Sequence, residues 1–92
     1  MAHTAAHIIA RGRVQGVGFR FFTHRLARDR GIAGWVKNLP DGSVEIHAEG
    51  EKSAMEEFVS LVEEGPMFGS VSDIELVWVE PTSQHTGFDI RF

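Results

Sequence analysis

A glycine-rich stretch near the amino terminus constrains this chain more than any other feature. Residues 12–20 read GRVQGVGFR, and three glycines lie within the first seven of these positions. Glycine lets successive backbone N–H groups turn inward without a Cβ clash, and such a concave run of amides binds anions. If a helix begins at Phe19, its amino terminus adds partial positive charge, and Arg20 can donate two N–H bonds to phosphate or carboxylate oxygens. The stretch therefore predicts an oxyanion-binding loop, here called the cradle loop (residues 15–20).

The same stretch also fits a plain turn between a strand and a helix. In that interpretation the glycines relieve crowding and the arginine is solvated. Short glycine patterns occur in many proteins that bind no anion. A dinucleotide fingerprint is incomplete, because Phe21 takes the position of its third glycine, and the Walker lysine is absent. The stretch alone leaves the two interpretations open.

Length and composition limit the classes of protein to consider. The chain has 92 residues, no cysteine and a formal net charge of −4. This length predicts one small domain, spanning residues 1–92, with a single core. The lack of cysteine excludes disulfides and thiolate chemistry. The net charge argues against broad contact with nucleic acid, which needs clustered basic residues, although Arg11, Arg13 and Arg20 concentrate positive charge around the cradle loop.

The amino-terminal residues predict neither secretion nor membrane insertion. Residues 1–10 have no basic region followed by an apolar core, as a signal peptide requires. No stretch approaches the roughly 20 apolar residues of a membrane span. We therefore expect a cytoplasmic protein without membrane or nucleic-acid partners.

The first half of the chain shows a strand, a helix and a hairpin. Ala6, Ile8 and Ala10 alternate with larger or polar residues, which is the period of a strand covered on one face. Apolar residues at helical spacing follow from Phe19 and end at Gly31, the position of a left-handed cap. Residues 32–37 and 43–48 then show strand patterns separated by an Asn-Leu-Pro-Asp-Gly turn.

The second half repeats the order of helix and strand. Ser53 and Glu56 have the spacing of a capping box, which predicts the start of a second helix. Gly65 and Pro66 end that helix, and residues 71–80 show a long strand pattern. A last alternation covers residues 88–92. The order is β-α-β-β-α-β with a terminal strand added.

This order places two distant segments at one edge of the sheet. In a split βαβ unit the first two strands run parallel, with the third strand antiparallel between them. Parallel strands end at the same edge, where open sheets place their ligands. Asn38, which closes the second strand, is therefore expected beside the cradle loop and Arg20.

Two segments of the chain resemble the signatures of the acylphosphatase family. The first is residues 12–20, and the second is residues 34–42, which read GWVKNLPDG. Both occur in the order and at the separation typical of the family. The resemblance implies an α+β, ferredoxin-like β-α-β-β-α-β sandwich, with an antiparallel sheet and two helices on one face. It also implies metal-independent hydrolysis of acyl phosphates, with Arg20 as the phosphate-binding residue and Asn38 as the residue that orients the attacking water.

The chemistry of an acyl phosphate suits these residue types. Its leaving carboxylate has a conjugate acid with a pKa of about 4 to 5, so no general acid is needed. Phosphoryl transfer asks mainly for positioning and charge stabilisation. Arg20 and the loop amides can supply that charge, and Asn38 offers one acceptor and two donors for a water molecule. The phosphate-binding set is expected to comprise Gln15, Gly16, Val17, Gly18, Phe19 and Arg20.

The remaining polar residues indicate no further chemistry. Asp41 is explained by the Pro-Asp-Gly turn, so we expect an oxygen of the phosphate itself to accept the proton of water. The five histidines show no metal-ligand spacing, so neither metal nor cofactor is expected. The predicted partner is a small acyl phosphate, and the predicted state is a monomer.

Two alternatives remain for function. A ferredoxin-like sheet can bind RNA, but the third strand lacks the aromatic and basic residues of that interface. The same loop could also be the acyl-phosphate-handling domain of a larger carbamoyl-transfer protein. A chain that stops at residue 92 favours a free-standing enzyme.

Overall fold

A computed structural model describes residues 2–92 as one mixed five-stranded sheet with two helices. In chain order the elements are β1 (His3–Arg13), α1 (Phe19–Asp29), β2 (Ala33–Asn38), β3 (Val44–Glu51), α2 (Lys52–Glu64), β4 (Ser70–Val79) and β5 (Phe88–Arg91). The predicted order of elements, including the added terminal strand, is confirmed.

The strands lie in the order β4-β1-β3-β2-β5. β3 is antiparallel to both β1 and β2, so β1 and β2 run parallel on either side of it, as a split βαβ unit requires. The expectation of an antiparallel sheet is wrong at one pair, because β5 pairs with β2 in parallel. The segment between β4 and β5 crosses from one edge of the sheet to the other instead of turning back as a hairpin, so β5 joins the far edge in the direction of β2.

One face of the sheet carries the core. Ile8 of β1, Val36 of β2 and Ile46 of β3 are fully buried on this face. They pack in one cluster with Phe19 of α1 and Phe58 of α2. Both helices therefore cover the same face, as predicted. Burial of each large side chain contributes about 1.5–3 kcal/mol. The other face carries no helix, and we call it the open face.

The start of α2 differs from the predicted capping box. The helix begins at Lys52, and Glu51 occupies the position before it without a side-chain capping bond. Ser53 Oγ instead donates to Glu51 Oε1 at 3.1 Å. β3 runs directly into α2, and Lys52 N donates to Ala2 O at 2.9 Å. Strand pairing therefore sets the start of this helix.

Neither helix described within residues 2–92 has the length and apolar composition of a membrane-spanning segment.

Candidate active site

The cradle loop joins β1 to α1 and owes its shape to two glycines. Gly16 and Gly18 have φ angles of 76° and 78°, in the left-handed region that favours glycine. A Cβ added at either position would meet no atom within 4 Å. The backbone conformation therefore requires glycine here, and crowding does not explain these two residues.

Gly12 shows what a crowded glycine looks like in the same stretch. It lies at an irregularity in the pairing of β1 with β4. A Cβ there would lie 2.4 Å from the carbonyl oxygen of Ser70. The crowding interpretation is therefore correct for Gly12 and fails for the glycines of the cradle loop.

The amino terminus of α1 opens toward the cradle loop. Gly18 is the residue before the helix, and it has no side chain with which to cap it. The first helical bond shown runs from Phe22 N to Gly18 O at 3.0 Å. The N–H groups of a first helical turn have no intrahelical acceptor. They are therefore available to an anion.

Arg20 carries a positive charge that no carboxylate of residues 2–92 neutralises by an ion pair. Its Nη1 donates to Arg91 O at 3.0 Å, and its guanidinium carbon lies 4.5 Å from the centre of the Phe92 ring. These contacts hold the side chain without cancelling its charge. The carboxy-terminal strand thus orients the predicted phosphate-binding residue.

Asn38 is the last residue of β2 and has an unusual polar environment. Its Oδ1 is buried, and none of residues 2–92 donates a hydrogen bond to it. Such an atom costs about 1–3 kcal/mol of stability. Unpaired buried groups in native proteins call for an explanation, and a catalytic role is one of them.

Arg20 and Asn38 line one cavity of about 110 Å³ at the edge of the sheet where β2 ends. Its other lining residues are Val14, Gly16, Gly18, Phe19 and Phe21. The structure thus brings together four of the six predicted phosphate-binding residues with Asn38. Gln15 and Val17 lie outside this lining.

Gln15 supports the cavity through its side chain. Its Nε2 donates to Leu39 O and to Ser43 O, both at 2.8 Å. These bonds tie the cradle loop to the turn between β2 and β3. The side chain therefore helps to keep Asn38 close to the loop, a role that the sequence pattern did not indicate. Val17 packs against the core.

Phe21 is a lining residue that the sequence interpretation missed. Its side chain is 61% exposed although it is large and apolar. The signal in the sequence is its place on α1, because Phe21 lies between the core positions Phe19 and Phe22. Because Phe21 also lines the cavity, it is a candidate contact for a ligand.

The charge around the cavity comes from fewer arginines than the sequence suggested. Arg11 pairs with Asp73 at 3.1 Å and with Glu75 at 3.0 Å. Its charge is therefore neutralised at the other side of the sheet. Arg20 is the cation that lines the cavity.

Asp41 acts as a turn residue, as the sequence predicts. The Ser43 hydroxyl and the Ser43 backbone N–H both donate to Asp41 Oδ1. These bonds hold the pKa of Asp41 below its usual value. An acid of lowered pKa that is already hydrogen-bonded is a poor general base.

A larger groove of about 510 Å³ lies elsewhere, between β1, α2 and β4. Lys52, Glu56 and Trp78 line it. It contains neither a glycine loop nor a pair comparable to Arg20 and Asn38. The smaller cavity is therefore the candidate active site, because the glycines of the cradle loop, Arg20 and Asn38 all line it.

The match to a family decides the class of this protein. The Acylphosphatase family model matches residues 6–90. The chain belongs to the acylphosphatase family. The recognition made from the two signatures is therefore confirmed, and so is the expectation of an acylphosphatase enzyme.

Similar proteins support this assignment along nearly the whole chain. The acylphosphatase of Bacillus subtilis is 48% identical over 85 residues, covering 92% of this chain and 93% of that protein. The crystal structure of acylphosphatase from Bacillus subtilis has a TM-score of 0.93 at 45% identity, covering 97% of this chain and 99% of that one. The ferredoxin-like acylphosphatase fold is thus confirmed.

A longer protein contains a similar unit. The structure of HypF from T. kodakarensis has a TM-score of 0.82 at 34% identity. The match covers 97% of this acylphosphatase chain but 12% of the HypF chain. The same fold therefore also occurs as a small part of a larger molecule.

Proposed function

We propose that this chain hydrolyses the carboxyl–phosphate anhydride of acyl phosphates to a carboxylate and inorganic phosphate, without a metal ion. Arg20 and the backbone amides of residues 15–20 bind the phosphate, and Asn38 orients the attacking water. The observation that carries the proposal is the shared cavity, which is lined both by Arg20, a cation without an ion pair among residues 2–92, and by Asn38, whose buried Oδ1 has no hydrogen-bond partner there.

Phosphate binding is supported by the charge and the donors around the cavity. Arg20 brings a guanidinium whose planar donors match phosphate oxygens. The left-handed Gly16 and Gly18 shape the loop, and the amino terminus of α1 adds N–H groups. All of these donors belong to folded elements. They can therefore stabilise charge on the equatorial oxygens without reorganising.

The role of Asn38 follows from its unpaired oxygen. Rotation of the Asn38 amide brings Oδ1 to the cavity, where a water molecule donates a hydrogen bond to it and so removes the cost of the unpaired acceptor. The same bond fixes the direction of the water's lone pair relative to the phosphorus atom. Orientation of this kind converts a bimolecular attack into one between held partners.

The leaving group explains why few catalytic groups suffice. The departing carboxylate is stable as an anion at neutral pH, so no acid has to protonate it. Neither His nor Glu lines the cavity. We therefore assign the proton of the attacking water to an oxygen of the phosphate itself.

The RNA-binding alternative finds little support on the open face of the sheet. Arg11 there is paired with two carboxylates, and Lys37 lies 3.5 Å from Glu45. An RNA-binding sheet needs cations free to contact phosphates. A monomeric state, a cytoplasmic location and the extent of one domain over residues 1–92 stay predictions.

A phosphate-release assay tests the proposal. The purified chain is incubated with benzoyl phosphate in the presence of a strong chelator, and inorganic phosphate is measured against the spontaneous rate. We expect catalysed release that the chelator leaves unchanged. Release no faster than the spontaneous rate would refute the hydrolase, and loss of release with the chelator would refute the metal-independent mechanism.

A further inference from the structure

The open face of the sheet holds a second cluster of chemistry-bearing residues. His47 and Glu49 project from β3, and His85 lies in the segment between β4 and β5. One potential ligand atom from each of these three residues lies within 4.8 Å of the other two. No spacing in the sequence indicated this cluster, because His85 lies 36 positions after Glu49.

Glu49 forms the base of the cluster. It is only 2% exposed, and it accepts hydrogen bonds from Thr82 N, Thr82 Oγ1 and Ser83 N. Burial raises the pKa of Glu49, but the hydrogen bonds from His47, Thr82 and Ser83 outweigh it and lower the pKa to about 2. The carboxylate of Glu49 is therefore fixed in a sheltered position at the base of the cluster.

The two imidazoles are held beside this carboxylate. His47 Nε2 lies 2.7 Å from Glu49 Oε2, and its ring stacks on Trp35 with 6.1 Å between ring centres. The His85 ring lies 5.2 Å from the His47 ring. Ser83, at φ 56°, is the one non-glycine residue of 2–92 with a positive φ. The bond from its N–H to Glu49 fixes the loop that presents His85.

We propose that His47, Glu49 and His85 bind a divalent transition-metal ion of the Zn²⁺ type. Two imidazole nitrogens and one carboxylate oxygen are ligands that zinc prefers, at about 2.0–2.2 Å from the ion. Tetrahedral ligation at these lengths separates neighbouring ligand atoms by about 3.3–3.5 Å. The ion takes the place of the proton between His47 and Glu49. The distance between His47 Nε2 and Glu49 Oε2 therefore increases by less than about 1 Å. Water completes the coordination.

A third histidine and two cationic side chains lie near the proposed site. His3 Nε2 lies 3.9 Å from Glu49 Oε1, and this side chain is half exposed. Lys37 and Arg91 contact the Trp35 ring, at 5.4 Å and 4.7 Å from its centre. The Trp35 ring therefore contacts both of these cations and also stacks on His47.

The proposed metal site is separate from the active site. Trp35 is the register partner of His47, and Asn38 lies three residues further along β2. Three residues span about 10 Å of strand, and residues of opposite parity point to opposite faces. The ion therefore fastens the loop between β4 and β5 to the open face and takes no part in hydrolysis.

His7 supplies a matched control on the same face. His7 Nε2 lies 2.7 Å from Glu45 Oε2, the same separation as between His47 and Glu49. Within residues 2–92, no cluster of three such ligands includes His7. The His7–Glu45 pair lacks the second imidazole that His85 supplies to the His47–Glu49 pair. Removal of His7 should therefore leave metal binding intact.

Titration calorimetry with Zn²⁺ tests the proposal on the metal-free chain in a buffer without phosphate. We expect one Zn²⁺ per chain, and a Tm that rises with Zn²⁺ and returns with chelator. His85→Ala and His47→Ala should each weaken binding at least about tenfold, the lower end of the loss caused by removing even an outer-shell partner. His7→Ala should change the Kd less than about twofold.

Three outcomes would overturn the proposal. They are an absence of saturable Zn²⁺ binding, unchanged affinity in His85→Ala, and equal losses in His7→Ala and His85→Ala. His85 lies in a connecting segment, so this variant decides the matter if circular dichroism shows that His47→Ala does not fold. Phosphate release with chelator is measured on the same samples. If the titration shows no saturable Zn²⁺ binding while release is still catalysed, the metal site is refuted and the proposed hydrolase is not.

Discussion

Polar groups at the edge of the sheet beside the cradle loop have fewer partners within residues 2–92 than those at the centre of the open face. At the edge, Arg20 forms no ion pair within residues 2–92, and Asn38 Oδ1 is buried without a hydrogen-bond donor. On the open face, the buried Glu49 accepts bonds from Thr82, Ser83 and His47. Both regions are polar, but the buried carboxylate on the open face has hydrogen-bond donors and the buried amide oxygen at the edge has none.

The difference separates function from stability. A buried polar group without a partner lowers the stability of the fold, and a ligand can compensate for it. A buried charge with all its partners adds to stability above the pH at which it is protonated. Substitutions at the edge should therefore reduce activity with little loss of stability, and substitutions of Glu49 should do the reverse.

The largest effect is expected from Arg20→Lys. An ammonium group keeps the charge but cannot donate two parallel bonds to phosphate. We expect kcat/KM for benzoyl phosphate to fall about 10³-fold, which corresponds to about 4 kcal/mol. The free energy of unfolding should change by less than about 0.5 kcal/mol.

Arg25→Lys is the matched control, because Arg25 is an exposed arginine on the same helix. Its kinetics should equal those of the unmodified chain. If Arg20→Lys kept near-normal affinity for substrate, the assignment of Arg20 to phosphate binding would be wrong.

Asn38→Ala should lower kcat about 10²-fold, because the attacking water loses its orientation. Inhibition by inorganic phosphate should persist with a similar inhibition constant, since Arg20 and the loop amides remain. Stability should hold or rise slightly, because the substitution removes an unpaired acceptor. A collapse of phosphate affinity would identify Asn38 as a binding residue instead.

Glu49→Gln should act mainly on stability. The pKa of Glu49 is lowered from its usual 4.5 to about 2, and this difference corresponds to about 3 kcal/mol of stability at neutral pH. We expect a loss of about 2–3 kcal/mol in the free energy of unfolding by urea, with chelator present. The kcat of the folded variant should be unchanged, and a large fall in kcat would break the separation between the two regions.

The pH dependence of stability gives the same contrast without a substitution at the active site. Because the folded pKa of Glu49 is lowered, its contribution is complete above about pH 4.5 and is lost as the pH falls toward about 2. The difference in unfolding free energy between the original chain and Glu49→Gln should shrink across that window. A difference that stays constant there would show that the carboxylate charge is not the cause.

The smallest effect is expected from Gly16→Ala. The left-handed φ of 76° costs a residue with a Cβ about 1 kcal/mol, although the space around it is open. We expect this loss of stability together with a several-fold weaker inhibition by inorganic phosphate. Gly87→Ala is the control, because a Cβ there meets nothing within 4 Å and its φ is not positive.

Much of the fold could be predicted because it depends on local patterns. The alternation of Ala6, Ile8 and Ala10 and the helical spacing from Phe19 reflect one buried face each. The start of α2 was predicted wrongly because pairing of β3 with β1 fixes the chain before Ser53 can act as a cap. The parallel direction of β5 depends on a crossing that no local pattern records.

The sequence by itself determined the order of elements, the cradle loop, the edge at which Asn38 would lie and, through two signatures, the family. These features depend on residues that are neighbours along the chain or on rules of strand order. The tertiary structure alone decided which polar groups would find partners. Arg11 paired with carboxylates of β4, Gln15 tied the loop to the next turn, and His85 came to lie beside His47. Such contacts join residues far apart in the chain, and their geometry exists only when the sheet has formed.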